Sequence, residues 1–407
     1  MLRKITDLEV NNKRVLVRLD LNLPRKDGFI LDYTRIERSL KTIQYLMQKG
    51  AKIILISHLG RPKGRYSMDL SLAPIADSLE KLLGKKVEFA SDIFDPKLVT
   101  KTQNLKQQDI LLLENLRFYA GEEASDENFI NRLSMLGDCY VNDTFSCSHR
   151  KHSSIYGIAK ILPSSAGFLL EEELSKIEKI LQKPKKPILA IIGGSKVSTK
   201  LILLKALTEK VDMIAIGGSM ANSFLKAQNI DIGSSVYEKD LLNNVLEILE
   251  LAKKRSCKII LPTDFIVSND LIEPKYTEIY SILASHRKSE IVRTLPQIEN
   301  KQIFDIGPSS LRDIENAIEA ANTIIWNGPV GAFETKTYNI SSRQIARSIA
   351  YATIYNSKIS IAGGGDTLAV IKTTGLSSNF SYISTGGGAF LEWLEGKTLP
   401  GIEALSN

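Results

Sequence analysis

Apolar and polar residues follow one another along this chain in two kinds of block. Short runs that are apolar at most positions, such as residues 14–21 and 52–57, alternate with longer segments whose apolar residues recur at helical spacing, such as residues 35–48. Strands that are apolar at consecutive positions are buried on both faces, and their alternation with helices is typical of a parallel sheet between helical layers. The pattern therefore predicts an α/β protein.

The same pattern divides the chain into two halves. In the first half, strands are predicted at residues 14–21, 52–57, 87–90, 109–113 and 138–141, and helices at residues 35–48, 72–83 and 127–136. In the second half, strands are predicted at residues 188–192, 213–216, 258–261, 323–326, 358–361 and 381–384, and helices at residues 201–210 and 241–254. A helical segment at residues 169–181 lies between the halves and is ended by Pro184 and Pro187. We therefore predict two three-layer domains joined by a helix and a linker.

The composition supports this division and excludes several classes of protein. At 407 residues the chain is too long for one compact core. It has no run of about eighteen apolar residues and no secretory leader, so neither membrane insertion nor secretion is expected. Its cysteines, Cys139, Cys147 and Cys257, lack the spacing of a zinc site, which favours free thiols in a reducing cytoplasm. A nucleophilic Cys147 near His149 is the less favoured alternative.

The net charge of +7 raises the question of a nucleic-acid partner. Most lysines lie within helical patterns, as in residues 171–183, where they are typical of solvated faces. No basic stripe interleaved with aromatic residues is present. We therefore expect no nucleic-acid partner.

The two halves carry different residues at the ends of their strands. In the second half strands run into paired glycines at residues 193–194, 217–218, 363–365 and 386–388, whereas in the first half they end in His58, Arg61, Arg117 and Arg150. Glycine turns at helix starts let backbone N–H groups approach a polyphosphate, and arginine forks grip a smaller anion. The carboxyl ends of parallel strands form one edge, where ligands bind. The simplest joint interpretation is transfer of a group between two anions.

Three cations lie at two predicted helix starts, where they oppose the helix dipole. Residues 34–37, Thr-Arg-Ile-Glu, fit a capping box with Thr34 as N-cap, which places Arg35 in the first turn. An anionic partner explains Arg35 better than stability does, although a solvated arginine remains an alternative. Lys196 and Lys200, four residues apart, are predicted to share one helical face and to bind phosphate rather than solvent.

Two further segments are weaker evidence taken singly. His58 and Arg61 share one loop directly after a strand, and a structural histidine is the usual alternative to an anion-binding one. Asp366 comes directly after three glycines and could hold Mg²⁺ beside substrate phosphates, or could cap a helix.

Taken together, these segments resemble phosphoglycerate kinase. The resemblance lies in residues 18–24 (RLDLNLP), 57–62 (SHLGRP), 114–118 (ENLRF), 326–331 (WNGPVG), 363–367 (GGGDT) and 384–389 (STGGGA). It extends over residues 15–401 in the order of the family.

The resemblance implies two Rossmann-like domains joined by a hinge helix, with boundaries at residues 1–168, 169–187, 188–390 and a tail, 391–407, that packs back on the first domain. It implies that 3-phosphoglycerate binds the first domain and Mg-ATP or Mg-ADP the second, in a monomer. The implied acid-substrate residues are Asp20, Leu21, Asn22, Arg35, His58, Leu59, Gly60, Arg61, Arg117 and Arg150. The implied nucleotide residues are Lys196, Lys200, Asn327, Glu334, Gly364, Gly365, Asp366 and Thr367, with Asp366 towards Mg²⁺.

Three positions depart from the family pattern. Ser146-Cys147-Ser148 replaces a glycine-threonine-alanine, Thr199 stands where an aspartate is frequent, and Tyr382 stands for a histidine. None of these changes removes a phosphate-binding group.

The implied reaction moves a phosphoryl group from 1,3-bisphosphoglycerate to ADP, in line and reversibly. Because the nucleophile is already anionic, alignment and charge neutralisation suffice. We expect Arg35, Lys196 and the backbone near Gly387 to act on the moving group. Domain closure is expected to bend the chain near residues 184–187 and 385–389.

Two other classes of protein are weighed against this interpretation. A nicotinamide dehydrogenase would need G-x-G-x-x-G after a strand, which is absent from the sequence. A nucleic-acid-binding protein would show strongly salt-dependent affinity and no turnover of 3-phosphoglycerate.

Overall fold

The computed structural model describes residues 2–26, 29–182, 184–272, 274, 276–282, 298, 300–384 and 386–406. Within these ranges the chain forms two compact units. The first unit contains the described residues up to Glu178 and those from Thr398 onward, and the second contains those from Lys179 to Lys397.

The first unit is built on a sheet of six parallel strands in the order β5-β6-β4-β1-β7-β8. These strands are β1 (Arg14–Arg18), β4 (Lys52–Ile56), β5 (Val87–Ala90), β6 (Ile110–Leu113), β7 (Cys139–Asn142) and β8 (Ser164–Ala166). A small antiparallel pair, β2 (Arg25–Lys26) and β3 (Phe29–Ile30), comes after β1 in the chain. The helices are α1 (Thr34–Gln48), α2 (Ala73–Leu83), α3 (Lys97–Gln103), α4 (Ala120–Ala124) and α5 (Glu127–Ser134).

The strands of this sheet are covered on both faces, because consecutive residues are buried. All four residues of β6 are buried, as are Val15 to Arg18 of β1. Strand β1 pairs with β4 on one side and β7 on the other, so the direction in which the sheet grows reverses between β1 and β7. In open parallel sheets ligands bind beyond the carboxyl ends of strands at such a reversal.

The second unit repeats this arrangement in the order β11-β10-β9-β15-β16-β17, again with six parallel strands. These strands are β9 (Ile188–Ile192), β10 (Met213–Ile216), β11 (Lys258–Ile260), β15 (Thr323–Asn327), β16 (Ile359–Gly363) and β17 (Tyr382–Ser384). A separate antiparallel sheet contains β12 (Asp264–Ser268), β13 (Glu278–Ser281) and β14 (Gln302–Ile306). The reversal lies between β9 and β15, where Ile192 pairs with Asn327.

The helices of the second unit alternate with these strands. They are α7 (Leu201–Lys210), α8 (Ser219–Ala227), α9 (Leu242–Lys254), α10 (Pro308–Ala320), α11 (Ile340–Tyr355), α12 (Gly365–Thr374) and α13 (Gly387–Leu394). A short last helix, α14 (Pro400–Glu403), belongs to the first unit. No helix in the described parts of the chain is both long and apolar enough to cross a membrane.

Helix α6 (Phe168–Gln182) lies where the sequence predicts the connecting helix. Its first turn is capped from outside, because the Asp143 carboxylate accepts the N–H groups of Leu169 (2.8 Å) and Leu170 (3.2 Å). Burial raises the pKa of Asp143 to about 6. Lys183, which begins the predicted linker, lies outside the described residues.

The predicted fold class is confirmed, with two parallel six-stranded sheets and helices between their strands. The predicted strand over residues 14–21 ends earlier, at Arg18. Beyond it the Leu21 N–H donates to Ser57 Oγ over 2.9 Å instead of to a neighbouring strand. The antiparallel sheet was not predicted.

Candidate functional site

The turn after β1 carries an acidic side chain that meets an arginine of α1. The Asp20 carboxylate accepts the Asn22 N–H over 3.1 Å and pairs with Arg35, whose Nη1 lies 2.8 Å from Asp20 Oδ2. The same Nη1 donates to the Asn22 carbonyl over 2.8 Å. Among the described residues the Arg35 side chain has no other hydrogen-bond partner, so its remaining N–H groups can donate to an anion.

Helix α1 begins differently from the prediction. Thr34 is inside the helix, and its N–H and hydroxyl donate to Asp32 Oδ1 over 2.9 and 2.5 Å. The predicted capping box of Thr34 and Glu37 is therefore wrong, because the Asp32 carboxylate is the stronger acceptor for these donors. Arg35 does lie in the first turn, as predicted.

His58 comes after β4 and is buried against Arg18, the last residue of β1. Arg18 Nη2 lies 3.1 Å from His58 Nδ1. Because a guanidinium can only donate, Nδ1 accepts, and the neutral ring carries its proton on Nε2. Burial, with the charges of Arg18 and Arg117, holds the pKa of His58 well below its usual range. Arg18 is itself held by Ser154 Oγ, 2.9 Å from its Nε, and by the Leu19 carbonyl.

Asn115 connects the two loops that carry Leu59, Gly60 and Arg117. Its Oδ1 accepts the N–H groups of Leu59 (3.2 Å) and Arg117 (3.1 Å), and its Nδ2 donates to the Leu59 carbonyl (2.7 Å). Arg117 Nη1 in turn donates to the Gly60 carbonyl over 2.8 Å. The Gly60 N–H donates to Asn22 Oδ1 over 2.9 Å, which joins this loop to the turn after β1.

Two more histidines and Arg150 belong to the same region of the first unit. Burial lowers the pKa of His149 to about 4 and that of His152 to about 3, and in both cases nearby arginines act in the same direction. Arg61 is exposed, and no hydrogen bond of its side chain is found among the described residues. The buried and half-buried cations and histidines of this region are called the basic cluster: Arg18, Arg35, His58, Arg117, His149, Arg150 and His152.

Sequence reasoning missed several members and supports of this cluster. Arg18 was signalled only as a charge at the end of an otherwise apolar run, and Asn115 only as a polar residue directly after a strand. His152, two residues after Arg150, had no local signal that distinguishes it from a structural histidine.

In the second unit the loops after β9, β10 and β15 pack backbone against backbone. A Cβ on Gly193 would overlap the Pro329 carbonyl, and one on Gly217 would lie 2.6 Å from the Cβ of Val330. The Gly218 N–H donates to the Val330 carbonyl over 2.8 Å. Glycine is required here because any side chain would separate the loops.

The predicted helical face with Lys196 and Lys200 is wrong, because α7 begins only at Leu201. The preceding residues form a turn that the Lys200 N–H closes by donating to the Val197 carbonyl over 2.9 Å. Thr199 donates its hydroxyl to the Lys196 carbonyl over 2.9 Å, within the same turn. Lys196 is exposed.

Lys200 turns inward to the ends of two strands. Its Nζ donates to the carbonyls of Gly193 (2.6 Å) and Asn327 (3.1 Å), at the reversal between β9 and β15. Burial lowers the pKa of Lys200 to about 8, although the Asp366 carboxylate acts in the opposite direction. This ammonium is bound to two carbonyl dipoles and retains one N–H for a ligand.

Asn327 and Thr367 connect the loops after β15 and β16. Asn327 Nδ2 donates to the Gly363 carbonyl over 2.7 Å. Thr367 Oγ1 accepts the Gly328 N–H over 2.6 Å. Both side chains are buried, so they hold the loops in place from within.

Two helices begin next to each other at this edge. Helix α12 begins after Gly364, whose φ of +99° is accessible to glycine but strained for other residues. A Cβ on Gly387, the first residue of α13, would lie 3.1 Å from the Gly364 Cα. Asp366 lies in the first turn of α12, exposed, and Gly364 is the N-cap, so the alternative of an Asp366 cap is wrong. Two neighbouring helix N-termini favour a polyanion.

A cavity of about 210 Å³ opens beside these loops. Glu334 and Asp366 line it together with residues 329–333 and with Phe265 and Phe304. Buried Asp305 lies in its wall, and burial raises the pKa of this carboxyl to about 7. Sequence reasoning found Glu334 and Asp366 but not the antiparallel sheet that supplies Phe265 and Asp305.

The fold and these residues define the class of protein. One parallel α/β unit carries a basic cluster suited to a small anion, and the other carries glycine loops at helix N-termini suited to a nucleotide. The chain is a phosphotransferase.

Comparison with known proteins identifies the family. The model of the phosphoglycerate kinase family matches residues 5–397. The phosphoglycerate kinase of Orientia tsutsugamushi (strain Boryong) is 48% identical over 404 residues, covering 99% of this chain and 98% of the relative. That of Rhizobium meliloti (strain 1021) is 44% identical over 397 residues, covering 98% and 96%.

Solved structures agree with this result. Phosphoglycerate kinase from Coxiella burnetii aligns with a TM-score of 0.85 at 38% identity, covering 100% of this chain and 99% of that one. The enzyme from Pyrococcus horikoshii OT3 aligns with a TM-score of 0.82 at 32% identity, covering 99% and 98%. The chain belongs to the phosphoglycerate kinase family, and it is a glycolytic kinase that uses ATP and ADP.

Proposed function

We propose that this chain transfers a phosphoryl group directly between the acyl phosphate of 1,3-bisphosphoglycerate and the β-phosphate of Mg-ADP. The observation that carries the proposal is the position of the two anion sites. The Asp20 and Arg35 group lies beyond the reversal of the first sheet, and the Lys200 and Thr367 group lies beyond the reversal of the second.

The acid substrate binds the first unit. Arginine forks hold its phosphate and carboxylate, and His58 donates its Nε2–H as a neutral group. Asp20 and Asn22 are suited to the substrate hydroxyl because both offer oxygen acceptors. The proposed contacts are Asp20, Leu21, Asn22, Arg35, His58, Leu59, Gly60, Arg61, Arg117 and Arg150.

The nucleotide binds the second unit. Lys196, Lys200 and the N-terminus of α12 receive its phosphates, Asn327 shapes their loop, and Glu334 accepts from the ribose. The cavity of about 210 Å³ between Phe265 and the loop at residues 329–333 suits the base.

Mg²⁺ fits this site as an ion that the nucleotide brings. Among the described residues no group of three or more His, Cys, Asp or Glu side chains could hold a metal alone. The exposed Asp366 carboxylate would supply one oxygen, with phosphates and waters as the remaining ligands that Mg²⁺ usually takes. Bound there, the ion would neutralise phosphate charge.

The chain's own groups align the reactants and stabilise the moving phosphoryl group. No general base is needed, since the attacking phosphate oxygen is already anionic. We assign catalytic roles to Arg35, Lys196 and the Gly387 N–H, which supply positive charge and donors to the in-flight oxygens. Lys196 is exposed and has a flexible stem, which suits it to reach such a group.

Direct transfer requires that the two substrates meet. We propose that the chain bends near residues 184–187 and 385–389 to achieve this and to exclude water. Thr385, one of these residues, lies outside the described ranges. On this proposal residues 1–168 bind the acid, 188–390 bind the nucleotide, 169–187 connect them, and 391–407 form a tail that ends on the first domain. We further propose a cytoplasmic monomer without a nucleic-acid partner.

A coupled assay tests the function. ATP, Mg²⁺ and 3-phosphoglycerate are supplied with glyceraldehyde-3-phosphate dehydrogenase, and NADH loss is monitored. We expect turnover that requires every component. A rate equal to that without enzyme would refute the proposal, and a steep salt dependence of RNA or DNA binding would favour the alternative class.

A further inference from the structure

We propose that Ser146 is a positioning residue for the acid substrate, acting through Asp20 and Arg35. This inference rests on the proposed function, because it concerns the same site. Ser146 belongs to the loop after β7, across the sheet reversal from the turn after β1 that carries Asp20.

A directed chain of hydrogen bonds connects these loops. Ser146 Oγ lies 2.5 Å from Asp20 Oδ2, and because an ionised carboxylate can only accept, the serine hydroxyl donates. Its hydrogen is thereby used, so the Thr144 hydroxyl, 3.1 Å from Ser146 Oγ, is the donor in that pair. Thr144 is buried, so the chain starts from a fixed point.

The position of Ser146 matters because of what else Asp20 holds. Asp20 Oδ2 receives both the Ser146 hydroxyl and Arg35 Nη1, at 2.5 and 2.8 Å. Asp20 Oδ1 receives the Asn22 N–H at 3.1 Å. Both oxygens of the Asp20 carboxylate are therefore held before substrate arrives. The Arg35 guanidinium, which is proposed to bind the substrate anion, is held together with them. Removing the Ser146 hydroxyl frees the Asp20 side chain to rotate and lets Arg35 move with it.

The variants Ser146→Ala and Ser146→Thr separate this role from general loop stability. Alanine removes only the hydroxyl, whereas threonine keeps it. The matched control is Ser148→Ala, which removes a hydroxyl of the same loop that donates to the Thr144 carbonyl over 2.7 Å. Steady-state kinetics on the full chain give kcat/KM for 3-phosphoglycerate and KM for ATP, and thermal unfolding gives Tm.

We expect Ser146→Ala to lower kcat/KM for 3-phosphoglycerate about tenfold, in keeping with loss of one charge-assisted hydrogen bond. KM for ATP should stay within about twofold, and Ser146→Thr should restore most of the loss. Ser148→Ala should lower Tm without this selective effect.

Two results would overturn the inference. One is an unchanged kcat/KM for 3-phosphoglycerate in Ser146→Ala, and the other is an equal loss in Ser148→Ala together with a raised KM for ATP. If the unmodified chain shows no turnover at all, the proposed function fails instead, so the two failures are distinguishable.

Discussion

Arg35 occupies a position where its charge opposes the dipole of its own helix. The Asp20 carboxylate, 2.8 Å away, offsets that cost but leaves most of the guanidinium without a partner among the described residues. A cation maintained at an unfavourable place in this way is best explained by a ligand.

Arg35→Ala should therefore impair chemistry more than folding. We expect kcat to fall on the order of 10³ at saturating substrates, by analogy with transition-state arginines. Lys41→Ala, which changes another cation of α1, should stay within about twofold of the unmodified rate. A fall of less than about tenfold in kcat for Arg35→Ala would remove Arg35 from the catalytic role.

Lys200 should take up a proton when nucleotide binds. Burial lowers its pKa to about 8, so at pH 8.5 much of the side chain is neutral, and phosphate oxygens beside it would raise the pKa again. Affinity for Mg-ATP should therefore decline as pH rises above about 8. Calorimetry of Mg-ATP binding at pH 8.5 in buffers of different ionisation enthalpy measures the uptake.

The variant Lys200→Met is the comparison for that measurement. It should bind Mg-ATP more weakly, and its binding should lack the proton uptake that is due to Lys200. Equal proton uptake in both proteins would show that Lys200 does not meet the phosphates.

At the residue scale, the sequence predicts a functional residue only where neighbouring residues in the chain carry the signal. Arg35 and Asp366 were found because their charges stand at strand or helix ends in the sequence. Asn115 and Ser146 act through partners far away in the chain, Leu59 and Asp20, and no local pattern reports such pairs. Ser146 was noted only as a departure from a usual glycine, which has no hydroxyl to donate.

At the scale of elements, the glycine loops of the second unit serve two different purposes. Gly193 lets the loop after β9 pack against the Pro329 carbonyl, whereas a Cβ on Gly365 would meet no heavy atom within 4 Å among the described residues. The first glycine holds two loops together, and the second leaves space at a helix start.

Substitution by alanine should separate these purposes. Gly193→Ala should lower the free energy of unfolding by about 1–3 kcal/mol, because the loop must move away, and should raise KM for ATP. Gly365→Ala should leave Tm unchanged or slightly higher, since alanine favours the helix. Thermal unfolding measures the stability of the two variants, and nucleotide kinetics measure their KM for ATP. An equal loss of Tm in Gly193→Ala and Gly365→Ala would contradict the assignment of different purposes to these glycines.

Elements with continuous apolar runs were predictable, and those built from mixed residues were not. Strands β5, β9 and β10 and helix α7 have the predicted bounds. The antiparallel strand β13 has partly exposed residues throughout, so its pattern resembles that of a loop. The helical face predicted for Lys196 and Lys200 is wrong although the bounds of α7 are right, because both lysines precede the first helical residue, Leu201.

At the scale of the whole molecule, the first unit is discontinuous in sequence. Leu399 and Leu405 are buried, and the Gly401 N–H donates to the Ser148 carbonyl over 2.8 Å, next to the loop that carries Arg150. These residues connect a segment that comes after the second unit in the chain to the substrate loop of the first.

Deleting residues 398–407 should destabilise the first unit selectively. Both tryptophans, Trp326 and Trp393, belong to the second unit, so their fluorescence reports on that unit alone. We expect thermal unfolding of the truncated protein, followed by far-ultraviolet circular dichroism, to show a first transition at a lower temperature than in the full-length chain. KM for 3-phosphoglycerate should rise several-fold, and the tryptophan transition should stay in place.

The full-length variant Leu405→Ala is the control for that deletion. Loss of one buried leucine costs about 2–5 kcal/mol, and it should shift the same transition by a smaller amount than the deletion does. If the tryptophan transition falls together with the circular dichroism, the segment stabilises both units and the division of roles is wrong.

The discontinuity also sets an order of events during synthesis. A chain leaves the ribosome from its N-terminus, and domains generally fold in that order. Here Leu399 and Leu405, which cover part of the first unit, are made only after the whole second unit. Until then the nascent first unit must therefore leave an apolar surface exposed. The second unit is begun later, but it can be completed first.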